Sequence, residues 1–382
     1  MSNFAAIFFS FLLVLSCANT KEEQLKEIVP AANRLNSYLQ QLKNKNIALT
    51  VNHTSMVGKR HLVDTLLDLG INISTIMSPE HGYRGTADAG ELIENQSTDK
   101  IPIVSLYGKN KKPQVDQLKD IDLMVFDMQD VGTRFYTYIS TMHYIMEACA
   151  ENNIEVLILD RPNPNSQIDG PVLDTAYRSF VGMHSIPVLH GMTVGELALM
   201  INAEGWLKNG ITCKLKIIPV GNYKHQATYK LPVQPSPNLP NQQAVNWYPS
   251  LCFFEGTTMS IGRGTDFPFQ VVGHPSYSDT TFSFLPISRN GAKYPKHQDQ
   301  VCYGIDLRKV QAPKQIDLQL LIEMYENSDK NTFFNAYFNT LAGTDELRNQ
   351  IVAGWTVEEI RAGWQPKLDA FKAKRKQYLL YD

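Results

Sequence analysis

Apolar runs of strand length alternate with helix-length segments in the first half of the chain, and this alternation limits the fold more than any other feature. The run at residues 121–126 is apolar at almost every position, which is typical of a strand covered on both faces. Strands that alternate with helices favour an α/β fold with a Rossmann-like, mostly parallel sheet and helices on both faces. The pattern predicts strands over residues 46–51, 71–77, 101–106, 121–126, 155–159 and 214–220, and helices over residues 21–41, 61–69 and 138–150.

The second half of the chain is less regular. Thr193 and Glu196 have the spacing of a capping box and predict the start of a helix, which favours a structural role for Glu196. Two further helical stretches are predicted over residues 316–327 and 357–378. The proline-rich segment 235–240 is stiff and marks a natural domain boundary.

The N-terminal segment is predicted to be a targeting signal. Residues 5–15 are almost entirely apolar, which is too short a run for a membrane-spanning helix and about the length of a signal-peptide core. The run ends in Val14-Leu15-Ser16-Cys17, which resembles a bacterial lipobox, although no Lys or Arg precedes it. We therefore expect residues 1–17 to form a lipoprotein signal peptide. Lipidated Cys17 would then anchor the protein to a membrane in the periplasm or at the cell surface. The alternative is an ordinary cleaved signal.

Composition narrows the possible partners. The 382 residues are 43% hydrophobic, which is enough for a substantial core, and 36 Lys and Arg against 38 Asp and Glu leave a net charge of -2. A chain without basic excess is a poor binder of phosphate backbones, so no nucleic-acid partner is expected.

Nucleotide, cofactor and metal motifs are absent from the sequence. No G-x-G-x-x-G follows a strand and no P-loop occurs, so no cofactor is predicted. His53, His81 and His143 lack the spacing of a helical zinc motif, and no metal site is expected. Four cysteines are scattered without C-x-x-C spacing and are interpreted as small buried side chains, although an exported protein could pair some of them: Cys149, Cys213, Cys252 and Cys302.

Polar loops follow the predicted strands. Because the carboxyl ends of parallel strands meet at one edge of a sheet, these loops should converge on a ligand site. The carboxylates and the imidazole that they bring together suit acid and base chemistry: Glu80, His81, Asp127, Asp130 and Asp160. The segment Asp160–Pro164 is equally well explained as a stiff turn with an internal ion pair. Residues 254–266, rich in glycine and hydroxyl groups, either cradle an anion or turn a corner.

Several motifs in these loops resemble the signature blocks of the NamZ-type exo-β-N-acetylmuramidases, a family of peptidoglycan glycoside hydrolases. The blocks occur in the family's order and span nearly all of the chain after Cys17. They are residues 80–85 (EHGYRG), 105–108 (SLYG), 126–138 (FDMQDVGTRFYTY), 159–164 (LDRPNP), 190–196 (HGMTVGE), 235–238 (PSPN), 255–257 (EGT) and 262–265 (GRGT).

The resemblance implies an enzyme that removes terminal β-linked N-acetylmuramic acid from the non-reducing end of peptidoglycan fragments. It also implies a Rossmann-like catalytic domain, assigned to residues 18–240, and a smaller C-terminal α+β domain at residues 241–382 that completes the cleft. Peptidoglycan-derived saccharides are then the expected partners, which agrees with an exported, anchored protein.

Roles for individual residues follow as hypotheses. A glycosidase needs a proton donor for the leaving oxygen, a role assigned to Glu80, with His81 orienting it. Asp127 and Asp130 are the candidates for the second group, which stabilises charge at the anomeric carbon; the substrate's own 2-acetamido oxygen is an alternative nucleophile.

The substrate's lactyl ether carries a carboxylate, which suits a guanidinium partner. Arg84, Arg134 and Arg263 are the candidates, each with the alternative of a structural pair with a neighbouring Asp. The remaining expected substrate contacts are Tyr136, Tyr138, Asn163, His190 and Thr265.

Two other functions fit parts of the pattern. A non-catalytic lipoprotein could bind cell-wall muropeptides in the same cleft. A hydrolase acting on a peptide or an ester would need a Ser or Cys nucleophile, but the sequence has no G-x-S-x-G motif and no Cys in a strand-end loop of the first half.

Overall fold

The computed structural model describes residues 26–80, 82–83, 96–98 and 101–382, with the side chains of residues 96–98 left aside. The strands are β1 (Ile47–Val51), β2 (Met56–Val57), β3 (Arg60–His61), β4 (Ile73–Ser78), β5 (Gln96–Thr98), β6 (Ile101–Ser105), β7 (Leu123–Asp127), β8 (Glu155–Leu159), β9 (Ile168–Val172), β10 (Pro187–His190), β11 (Leu215–Ile218), β12 (Val271–His274), β13 (Ser283–Phe284) and β14 (Cys302–Asp306). The α-helices are α1 (Leu39–Leu42), α2 (Leu62–Asp68), α3 (Tyr138–Glu151), α4 (Val194–Ala203), α5 (Gln242–Leu251), α6 (Leu318–Glu326), α7 (Tyr337–Ala342), α8 (Glu346–Val352) and α9 (Val357–Arg375).

A seven-stranded sheet forms the centre of the N-terminal region, in the order β11-β8-β7-β1-β4-β6-β5. The strands from β11 to β6 pair in parallel, and β5 is antiparallel to β6 at the edge. The central strands β1 and β7 are buried along their whole length, as their apolar sequences predicted. The α/β fold expected from the sequence is confirmed.

Alternate side chains of β7 enter two separate cores. Met124 and Phe126 pack into the core that includes α3 and α4, whereas Leu123 and Val125 pack into the core that includes α2. Because successive strand side chains point to opposite faces, both faces of the sheet must be covered. The helices therefore lie on both sides of the sheet.

The C-terminal region adds a small antiparallel sheet, in the order β12-β14-β13, and the helices α5 to α9. The core that contains α3 and α4 continues into this region through aromatic side chains such as Phe253 and Phe338. Of the chain that the structure describes, no helix is both long and apolar enough to cross a bilayer.

The long helix predicted over residues 21–41 is not formed in its described part. Residues 31–33 and 35–37 form single 3₁₀ turns, and only Leu39–Leu42 are α-helical. Ala31, Ala32 and Tyr38 are buried against the sheet, and the Tyr38 hydroxyl donates a hydrogen bond to the Ala32 carbonyl at 2.7 Å. Tertiary packing thus overrides the helical pattern.

Arg134 ties three segments of the chain together. Its side chain is fully buried, and Nη1 donates to the carbonyls of Pro171 (2.7 Å) and Ile186 (2.8 Å), next to the β9–β10 hairpin. Nη2 donates to the carbonyls of Leu341 (3.0 Å) and Ala342 (2.6 Å) at the end of α7. The last carbonyls of a helix have no partner within it, so the guanidinium satisfies groups that burial would otherwise leave unpaired.

Residues near 380 complete the polar edge of the sheet. The Tyr381 hydroxyl donates to Asp160 Oδ2 at 2.6 Å and accepts from the Val220 amide at 2.8 Å. The Leu380 amide donates to Glu196 Oε1 at 2.8 Å. Asp160 after β8 and Glu196 in α4 therefore take hydrogen-bond partners 221 and 184 positions further along the chain.

We expect Arg134→Met to destabilise the protein by at least about 3 kcal/mol, because it leaves several buried carbonyls without donors. Urea unfolding of the two proteins measures this difference. Arg60→Met is the matched control, since Arg60 pairs with Asp68 on the surface and its loss should cost under about 1 kcal/mol. Equal losses in the two variants would contradict a structural role for Arg134.

Candidate active site

A cavity of about 300 Å³ opens at the carboxyl end of the sheet, where residues of the C-terminal region close it. Aromatic side chains make up much of its wall. Within the described part of the chain, its carboxylates are those of Glu80 and Glu255, and its one cationic side chain is that of Arg263. The other lining residues are Tyr107, Phe135, Tyr136, Thr137, Tyr138, Phe180, Val181, Ser236, Asn238, Leu239, Tyr248, Cys252, Phe269, Tyr337 and Leu341.

Glu80 reaches the cavity from the loop after β4. Its side chain is half-buried, and Thr137 Oγ1 donates a hydrogen bond to Glu80 Oε2 at 3.3 Å. Thr137 directly precedes α3, so Glu80 lies near the positive end of a fourteen-residue helix. The structure thus places the predicted proton donor in the cavity wall.

Glu255 enters from the opposite part of the chain, in a turn after α5. Arg263 Nε donates to Glu255 Oε1 at 2.5 Å, and the Lys296 ammonium donates to the carbonyls of Phe254 (3.0 Å) and Thr257 (2.7 Å) beside it. Burial alone would raise the pKa of Glu255, but the charges of Arg263 and Lys296 outweigh it and lower the pKa below its ordinary value. Glu255 is therefore a fixed, ionised carboxylate.

Close packing explains why a glycine follows Glu255. A Cβ on Gly256 would lie 2.4 Å from the Phe338 Cα atom in α7. No side chain fits this approach, so the glycine sets the distance between the Glu255 turn and α7.

Tyr136 and Tyr138 form one aromatic wall of the cavity. Their ring centroids lie 4.8 Å apart, and the hydroxyls donate to the Pro235 carbonyl at 2.8 Å and 3.5 Å. Burial raises the pKa of both phenols well above the ordinary value, so they stay neutral.

Asp127 lies away from the cavity, in a bidentate ion pair. Arg161 Nε donates to Asp127 Oδ1 at 2.5 Å and Nη2 to Oδ2 at 2.8 Å, and both side chains are buried. The alternative prediction of an ion pair between Asp160 and Arg161 within the turn is therefore wrong. Asp160 instead accepts hydrogen bonds from Thr193 and Tyr381. Both carboxylate oxygens of Asp127 accept from Arg161, and this pair holds β7 to the loop after β8.

Asp130 is buried beside the tyrosine wall without lining the cavity. Its Oδ2 accepts from the Gly132 amide at 2.6 Å, whereas Oδ1 has no hydrogen-bond partner. Burial raises the pKa of Asp130 to about 7, although the amides of Gly132 and Val131 oppose the shift. The carboxyl is therefore neutral over much of the acidic range.

The other predicted contacts have structural partners outside the cavity. Asn163 Nδ2 donates to the Met192 carbonyl at 2.9 Å, and His190 Nδ1 accepts from the Met192 amide at 3.3 Å. Burial lowers the pKa of His190 to about 3, so it is neutral. Thr265 Oγ1 donates to the Gly262 carbonyl at 2.6 Å, in a smaller neighbouring cavity. Arg134 is bound to carbonyls as described above.

The structure leaves some predicted positions undescribed and adds others. His81, Arg84 and Cys17 lie outside the described residues. Tyr107, Asn238, Glu255, Tyr248 and Tyr337 line the cavity without having been assigned to it from the sequence. Glu255 had a signal, because it opens one of the family's motifs, but its pairing with Arg263 becomes visible only in three dimensions.

The cysteines and the possible metal ligands were compared with their predicted states. Four cysteines are buried, as predicted, and they are free rather than paired: Cys149, Cys213, Cys252 and Cys302. Among the described residues, no group of three or more His, Cys, Asp or Glu side chains is placed to hold a metal ion.

The geometry defines a class of protein. A parallel α/β sheet ends at an aromatic-walled cavity, and among the described lining residues the acidic groups are two glutamates from different parts of the chain. Glycoside hydrolases use a pair of carboxylates at the scissile bond, and two glutamates in the wall of one cavity agree with that chemistry.

Comparison with known proteins places the chain within this class. The sequence matches the family models of exo-β-N-acetylmuramidase NamZ, the N-terminal model over residues 47–243 and the C-terminal model over residues 246–381. It is 37% identical over 374 residues to the peptidoglycan β-N-acetylmuramidase NamZ of Bacillus subtilis, covering 91% of this chain and 89% of the relative. The chain belongs to the NamZ family.

Two crystal structures of DUF1343 family proteins from Bacteroides fragilis have the same fold. One is 45% identical with a TM-score of 0.87, and the other is 29% identical with a TM-score of 0.80. Each alignment covers 93% of this chain and 99% of the solved one.

The buried carboxyl of Asp130 predicts a pH-dependent stability. Because its pKa rises from 3.8 to about 7 on folding, its contribution is fully present below the unfolded pKa and is lost as the pH rises towards 7. Asp130→Asn, which cannot ionise, should therefore gain stability relative to the wild type between about pH 4 and pH 7. Urea unfolding across this range measures the difference, and parallel stability curves would contradict the assignment.

Proposed function

We propose that this chain is an exo-β-N-acetylmuramidase that hydrolyses terminal β-linked N-acetylmuramic acid from the non-reducing end of peptidoglycan fragments. The observation that carries the proposal is the presence of Glu80 and Glu255 in the wall of one cavity, in a chain of the NamZ family.

Glu80 supplies the proton in this mechanism. Cleavage of a glycosidic bond requires an acid at the leaving oxygen, and a positioned carboxylic acid fills that role. The hydrogen bond from Thr137 Oγ1 orients the Glu80 carboxyl. Glu80 lies in the cavity wall, whereas the other carboxyls predicted for the sheet edge do not: Asp127, Asp130 and Asp160.

Glu255 supplies the second group. The transition state carries positive charge at the anomeric carbon, which an ionised carboxylate stabilises. Arg263 and Lys296 keep Glu255 ionised and fix its turn. Asp127 and Asp130 are not needed for this role, because neither lines the cavity.

The aromatic walls position the sugar. Tyr136, Tyr138, Tyr248 and Phe269 present large ring surfaces, on which the apolar face of a pyranose packs. A mostly apolar pocket with a few placed polar groups is the usual form of a small-molecule site.

We expect Glu80→Gln to lower kcat/KM on a muramic acid–glucosamine disaccharide by about 10²- to 10⁴-fold, because the leaving sugar needs a proton. The loss should be smaller on a 4-nitrophenyl β-N-acetylmuramide, whose leaving group departs without one. Glu255→Gln should impair both substrates alike. Sugar release by each variant is measured beside Glu326→Gln, a surface residue paired with Lys330.

Two results would contradict these roles. Equal losses of Glu80→Gln on the two substrates would remove Glu80 as the acid. A folded wild-type protein that binds N-acetylmuramic acid but cleaves neither substrate would favour the non-catalytic lipoprotein.

We also propose that Cys17 is lipidated and anchors the protein to a bacterial membrane, with the folded part in the periplasm or at the cell surface. The apolar run at residues 5–15 and the lipobox-like end at Cys17 support this location. It would place the enzyme where its substrate occurs.

Cys17→Ser should move the protein from the membrane fraction to the soluble fraction of a bacterial host and abolish incorporation of labelled palmitate. Fractionation and labelling of the full chain, beside Cys149→Ser as a buried control, measure this. A wild-type protein that is soluble and unlabelled would contradict the anchor.

A further inference from the structure

The substrate carries a carboxylate that the cations described in and around the cavity do not neutralise. N-acetylmuramic acid differs from N-acetylglucosamine by its lactyl ether, so a positive group near that ether would favour the muramide. Arg263 forms an ion pair with Glu255, and the pair has no net charge to offer. Arg134 is buried against main-chain carbonyls, and the Lys296 ammonium is held by carbonyls of the Glu255 turn.

Lys111 brings a different positive charge to the rim of the cavity. It belongs to the loop after β6, from which Tyr107 lines the cavity. The Lys111 ammonium lies 4.4 Å from the centroid of the Phe180 ring, and Phe180 also lines the cavity. The lysine therefore lies against a residue of the cavity wall.

The described neighbours of Lys111 leave its charge uncompensated. Within residues 26–80 and 101–382, no carboxylate forms an ion pair with Lys111, whereas the adjacent Lys112 pairs with Glu147 at 2.7 Å and Glu151 at 2.6 Å. A cation–π contact attracts an ammonium without neutralising it, so its N–H groups remain able to bind an anion.

The ring beneath Lys111 is itself held in place. Tyr144 of α3 stacks on Phe180 with a centroid distance of 6.2 Å and an interplanar angle of 13°. Ser140 Oγ donates to the Phe180 carbonyl at 2.7 Å. A held aromatic ring gives the lysine one preferred position, which lowers the entropic cost of using it to bind a ligand.

We propose that Lys111 is a specificity-determining residue that binds the lactyl carboxylate of the terminal muramic acid. The inference rests on the proposed function. It adds the group that makes the enzyme prefer the muramide over the glucosaminide. A charge-assisted hydrogen bond between an ammonium and a carboxylate supplies the discrimination.

The test compares two chromogenic muramides, one with a free lactyl carboxylate and one with that carboxylate as a methyl ester. Lys111→Met keeps the packing on Phe180 and removes the charge. It should lower kcat/KM on the free acid by about 10- to 100-fold, mainly through KM, and leave the ester unchanged. Lys111→Arg should keep most of the activity on the acid.

Lys109→Met is the matched control, since Lys109 is an exposed lysine of the same loop and should change neither rate. Equal effects of Lys111→Met on acid and ester, or none on either, with an active wild type would overturn the assignment of Lys111 alone. A wild type that cleaves neither substrate would overturn the proposed function, and this inference with it.

Discussion

The cavity depends on a buried guanidinium whose described partners are main-chain carbonyls. Arg134 donates to carbonyls of the β9–β10 hairpin region and of the end of α7, and burial lowers its pKa to about 9. The four residues that follow it, 135–138, all line the cavity. Because one side chain joins the sheet's loop to the C-terminal helices, the two walls of the cavity have a fixed distance. The cost of burying the charge is offset by carbonyls that would otherwise lack donors.

The polar edge of the sheet separates two kinds of acidic group. Asp127 forms a bidentate pair with Arg161, and Asp160 accepts from Thr193, Tyr381 and nearby amides, so both hold loops in place. Glu80 and Glu255 reach the cavity instead. A strand-end position is therefore not enough to assign a catalytic role, because Asp127 and Asp160 also follow strands but bind loop residues outside the cavity.

Much of the parallel sheet could be predicted, because strands such as β1 and β7 are buried on both faces and are continuously apolar. The position of Glu80 at the sheet edge could be predicted from the strand that precedes it. The role of Arg161 could not be predicted: its neighbour in sequence is Asp160, but the pairing of β7 with β8 brings Asp127 beside it. Glu255 was missed as a site residue because contacts with α7 and Lys296, distant in sequence, set its position.

Tyr381 has a consequence for the order in which the molecule forms. Its hydroxyl binds Asp160, 221 positions earlier, and burial raises the pKa of that carboxyl to about 6. A ribosome makes residues from the N-terminus onward. The sheet can therefore assemble before Tyr381, a hydrogen-bond donor to buried Asp160, has been synthesised. Contacts of such long sequence separation form late and slowly. Until residue 381 emerges, the nascent chain has an open polar edge beside β8, a stage at which chaperones and proteases compete for it.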